Sequence, residues 1–242
     1  MRLRILLIGV LLCPLVLVAQ NRRQFIRGDS SDWWSVGNQS FKMPDFKSSG
    51  DDLPADNFAI SGFALDFDVR DPLQAAGGKF GNAITVERGE AGSSREQICY
   101  VSSQDPNIHL IFEAGELDLV FYLFAGGQHW NGEDVCTKSS GVTEALRTNS
   151  GLGLGITPAD LQRILGKPDF SDGARFIYER QIKKTFSTAE LAKIRKSHPE
   201  ISESEFKEFE EAHRSYALEI YIEARSTNSR LNYLMVLRGR DQ

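Results

Sequence analysis

"GLGLGITPADLQRILGKP", Gly151–Pro168, decides how the rest of the chain is read. Its alternating glycines invite a phosphate-binding reading, because glycine lets backbone N–H groups approach an anion at a helix N-terminus. The spacing argues otherwise. A dinucleotide fingerprint needs G-x-G-x-x-G and a P-loop needs Lys followed by Ser or Thr, and neither is present. The glycines lead instead into a helix with explicit start and stop signals. Thr157 suits the N-cap, Pro158 the first helical position and Asp160 the reciprocal capping position. Leu161, Ile164 and Leu165 form an inward stripe, and Gly166-Lys167-Pro168 ends the segment.

The same phrase occurs earlier in weaker form. "GFALDFDVRD", Gly62–Asp71, aligns with "GLGLGITPAD", Gly151–Asp160, and after a one-residue gap "LQAAGGK", Leu73–Lys79, aligns with "LQRILGK", Leu161–Lys167. Ala64 and Asp66 stand where the second copy has Gly153 and Gly155, which argues against an anion cradle. Asp68 and Asp71 take the cap positions. Strand-like segments come after each copy: "QICYVSS", "IHLIFEAG" and "LDLVFYLF" in the first, "ARFIYERQI", "YALEIYIEA" and "LNYLMVLR" in the second. Leu218, Ile220 and Ile222 alternate, and Leu231, Tyr233, Met235 and Leu237 are expected on one face. The class is therefore α+β, as two tandem units, each a short helical segment packed on a small antiparallel sheet. The boundaries are 58–136 for the first unit and 137–242 for the second.

Upstream lie two other segments. Arg2 and Arg4, the apolar run Ile5–Val18 and Ala19 have the layout of a signal peptide, residues 1–19. The run is shorter than the ~20 residues a stable membrane span needs. Leu11 and Leu12 precede Cys13 where lipidation wants a small residue, so soluble export is expected over a lipid anchor. Residues 20–57 form a polar arm or linker with its apolar content in Trp33-Trp34 and Phe41–Phe46, expected to dock on the chain's own domain. "RGD" at Arg27–Asp29 and the sequon at Asn38 are short matches with high chance frequency and carry no weight.

Export leaves Cys99 and Cys136, an even pair in an oxidising compartment, and predicts a disulfide. Two buried free thiols remain the alternative, since sequence fixes no geometry. Loss of Arg2 and Arg4 leaves 26 basic against 33 acidic residues, a net of −7, which excludes nucleic acid as an expected partner. No metal or cofactor is expected, because neither cysteine has a second ligand at zinc spacing. Glu210-x-x-His213 has the spacing of a di-iron ligand pair but occurs once where two copies are needed. His109 is out of phase with Ile108, Leu110 and Phe112 and is expected to face solvent. His129 beside Trp130 is the remaining candidate base, with no nucleophile motif to serve.

The two copies differ in one respect. "FSTAELAKIRKSHPEISESEFKEFEEAHR" interrupts the strands of the second, with capping boxes at Ser187-x-x-Glu190 and Ser202-x-x-Glu205 and Pro199 in the turn. It predicts a helical-pair insertion over 187–214. Leu191 and Ile194 on the first helix, and Phe206 and Phe209 on the second, are the candidate partner-binding residues. Packing of these stripes on each other and on the sheet is the competing reading.

The phrase from Gly151 to Thr157, with Leu161 and Leu165-Gly166-Lys167-Pro168, resembles the glycine-threonine and Leu-Gly-x-Pro signature of the helix-sheet units in β-lactamase inhibitor proteins and in outer-membrane assembly lipoproteins of the SmpA/OmlA (BamE) type. The first copy departs from it at Asp66 and after Lys79. The tandem arrangement is similar to the inhibitor. The resemblance implies a non-catalytic protein-binding scaffold whose partner is another envelope or secreted protein. A secreted hydrolase, or a small-ligand carrier using a cleft between the units, are the alternatives.

Overall fold

Thr157 caps the second helix as its sequence dictates. In the computed structural model, which describes residues 53–64, 72–88, 95–115, 118–126, 135–197, 199–212 and 215–241, helix α2 spans Pro158–Leu165. The Thr157 hydroxyl accepts from the Asp160 amide at 3.1 Å and donates to the Asp160 carboxylate at 2.7 Å. That carboxylate also accepts from the Thr157 amide, so two N–H groups orphaned at the helix start are satisfied reciprocally. Leu161 and Leu165 are buried and Ile164 packs against the same core. Gly166, at φ 81°, then ends the helix in a conformation that glycine adopts most readily.

The first helix, α1, spans Pro72–Phe80 and buries Leu73, Ala76 and Phe80. It runs past Gly78-Lys79, which align with the terminator of α2. No proline comes after Lys79, so the helix continues far enough to seat Phe80 against Tyr100 and Phe112. Gly81, at φ 105°, closes it with a bond from its amide to Gly77 O.

After a 3-10 turn at Ala55–Phe58, the described residues hold eleven strands: β1 Ala59–Ile60, β2 Phe63–Ala64, β3 Thr85–Arg88, β4 Arg95–Ser102, β5 Ile108–Ala114, β6 Asp118–Ala125, β7 Thr137–Ser139, β8 Phe170–Ser171, β9 Arg175–Thr185, β10 Ser215–Thr227 and β11 Arg230–Asp241. Helices α3, Thr188–Ser197, and α4, Glu203–Ala212, lie between β9 and β10. The class is α+β. The strands expected in two small sheets form one nine-stranded sheet in the order β3-β4-β5-β6-β11-β10-β9-β8, with β7 beside β3 on the outer edge of β4. β6 and β11 join its halves antiparallel, from Tyr233 opposite Phe124 to Gly239 opposite Asp118. Residues 137–139, grouped with the second unit by the sequence, pair with β4 of the first, and Ser139 Oγ donates to Phe80 O.

The main core lies between the sheet and α1 and α2. Ile98, Tyr100, Leu110, Phe112, Phe121 and Leu123 come from one half of the sheet, with Tyr178, Leu218, Ile220, Ile222, Leu234 and Val236 from the other. The opposite face carries a second cluster of Cys99, Ile111, Val120, Tyr122, Phe124 and Tyr233, with Cys136, Met235 and Leu237 against it. This second cluster overturns two expectations. His109 is 5 % exposed, with its ring stacked on Phe124 at 5.1 Å. An alternating strand has a wet face only where that face is uncovered, and here both faces are apolar. Leu231 belongs to the main core, whereas Tyr233, Met235 and Leu237 take the other face. A β-bulge causes the difference: Arg225 pairs with Tyr233 but Ser226 with Leu231, so Asn232 is an extra residue that reverses the phase.

Candidate functional site

The glycine segment is knitted into the protein. The Thr148 amide donates to Leu152 O at 2.8 Å, the Leu152 amide to Thr148 Oγ1 at 3.0 Å, and the Gly151 amide to Thr148 O at 2.9 Å. The Gly155 amide donates to Leu231 O at 2.7 Å, and Leu231 N–H returns a bond to Ile156 O at 2.9 Å. The donors a phosphate would require at Gly151, Leu152 and Gly155 are therefore spent within the chain. Gly151 and Gly155 sit at φ 95° and 75°, and a methyl on Gly153 would overlap the Leu146 carbonyl and lie 2.6 Å from Arg147 Cδ. Leu152 and Leu154 between them are fully buried. The segment plugs the core and carries β11 against the loop.

Cys99 and Cys136 are joined in a disulfide with their Cα atoms 4.6 Å apart. Cys99 lies within the second cluster, and the bond stands one residue ahead of the parallel ladder that begins at Tyr100 opposite Thr137. Two ionic groups flank this face. Arg95 bridges Glu113 at 2.7 Å and Asp118 at 2.6 Å, and Gln97 approaches the second Glu113 oxygen at 3.4 Å. Across the sheet Glu223 accepts from Arg225 at 2.7 Å, pairs with Arg175 at 3.2 Å and receives the Tyr221 hydroxyl at 3.3 Å. Burial raises the Glu113 carboxyl above the ordinary carboxylate value, with Arg95 opposing in part. Burial, reinforced by the Glu113 charge, also pushes the Tyr122 hydroxyl well up.

The insertion is two helices, each opened by the capping box its sequence announces. At Ser187 the hydroxyl donates to Glu190 at 2.7 Å and accepts from the Glu190 amide at 3.2 Å, and at Ser202 the same pair of bonds to Glu205 measures 2.6 and 3.3 Å. The serine bonds hold the Glu205 carboxyl below its usual range. Arg195 fastens α3 to the start of α4: it donates to Ile201 O, reaches Glu203 at 3.3 Å and lies over the Phe206 ring at 5.2 Å. Phe206 is 9 % exposed and stacks on Phe209 at 5.9 Å, while Leu191, Ile194 and Phe209 are half-buried. Of the four candidate residues, Phe206 is therefore an interior residue of the helical pair and belongs to neither core cluster of the sheet.

The proposed leader with Cys13, residues 20–52 of the arm with its aromatic residues, the Asp68 and Asp71 caps, His129 with Trp130, and His213 all lie outside the described residues. Residues 53–57, read as the end of the arm, belong to the folded part instead, with Leu53 in the main core and Asn57 buried. Among the described residues no three His, Cys, Asp or Glu side chains gather as a metal site, and no helix is long and apolar enough to cross a membrane. Of the two buried carboxyl groups, Glu113 is paired with Arg95, and Glu223 with Arg175 and Arg225. No family model, curated protein or solved structure matches the chain.

Proposed function

We propose that this chain is an exported, non-enzymatic protein-binding module of the cell envelope, built from two tandem α+β units and engaging its partner through the helical pair between β9 and β10. The tandem reading draws support from a detail repeated in the two halves. The Tyr100 hydroxyl on β4 donates to the carbonyl of Gly81, which ends α1, and the Tyr178 hydroxyl on β9 donates to that of Gly166, which ends α2. The disulfide supports export, since such bonds persist in oxidising compartments.

One observation carries the functional part: α3 and α4 have their own caps, their own arginine clasp and their own buried phenylalanine, at the end of a ladder already complete at Thr185 opposite Ser215. An appendage that the sheet does not need is available to a partner. In this reading Phe206 keeps the two helices together, and Leu191, Ile194 and Phe209 contribute apolar edges within a charged surface.

Crosslinked capture from the native envelope tests the proposal. A single recurrent protein partner, whether an enzyme or a component of an assembly complex, is the expected result. Recovery of the chain alone, under conditions that crosslink a known envelope complex, would overturn it.

A further inference from the structure

We draw no further inference here: the strongest candidate, the apolar face of the sheet turned away from α1 and α2 and centred on Ile111, Tyr122, Phe124 and Tyr233, carries nothing because those side chains are already buried and nothing in the structure shows what covers them.

Discussion

Gly153 has room for a hydrogen atom and nothing larger, while Gly78, in the last turn of α1, faces open space. The two glycines should respond oppositely to alanine. Gly153→Ala forces the backbone of Leu146 or the side chain of Arg147 to move and should cost roughly 1–3 kcal/mol. Gly78→Ala should add about 0.5–1 kcal/mol by restricting the unfolded chain. Urea unfolding of the pair checks both, and a stabilising Gly153→Ala would remove the packing account of the glycine segment. Glu113 makes a prediction about pH. Its folded-state pKa is raised, so its contribution to stability is full below the unfolded value near 4.5 and is lost as pH rises through the folded value. Wild-type stability should fall across that window relative to Glu113→Gln, which has no proton to lose. Parallel pH profiles of the two proteins would contradict the burial of this carboxyl.

At the scale of elements, the parts legible in the sequence were those fixed locally. Thr157-Pro158-x-Asp160, Ser187-x-x-Glu190 and Ser202-x-x-Glu205 each satisfy helix-end donors with side chains a few residues away, so neighbouring letters contain the whole interaction. Removing one should register directly: Thr157→Ala is expected to lower stability by about 1 kcal/mol in thermal or urea melts, and an unchanged midpoint would show that α2 is held by packing alone. The phase of β11 was not legible, because a single extra residue at Asn232 turns Leu231 to the opposite face from Tyr233, and the bulge depends on pairing with β10. The burial of His109 was hidden for a related reason. Alternation reveals two faces of a strand, and it does not say that both are covered. The candidate site was legible as an insertion of two capped helices. The inward position of Phe206 depends on Arg195 closing over it from the neighbouring helix, a contact no periodicity reports.

At the scale of the molecule, the α+β class was readable, but the gathering of nine strands into one sheet was not. β6 and β11 are far apart in sequence, and pairing at that separation leaves no local trace. The Cys99–Cys136 bond closes a loop across a separation of 37 residues. The chain-entropy estimate for such a loop is about 3–4 kcal/mol. Reduction should lower the unfolding free energy by that order, and intact mass should rise by two hydrogens. Thiol labelling of both cysteines in non-reduced, denatured protein would contradict the bond.

The central claim is that the sheet is the scaffold and the helical pair is the part that meets another protein. Replacing residues 186–214 by a two-residue Asn-Gly turn joins Thr185 to Ser215, which are already opposite one another, with a loop suited to a hairpin. The decisive measurement is crosslinked capture of the partner by this shortened chain and by the full chain, with thermal melts of both. The account predicts an unchanged main transition and loss of the captured partner. Undiminished capture by the shortened chain, or collapse of its melt, would contradict it.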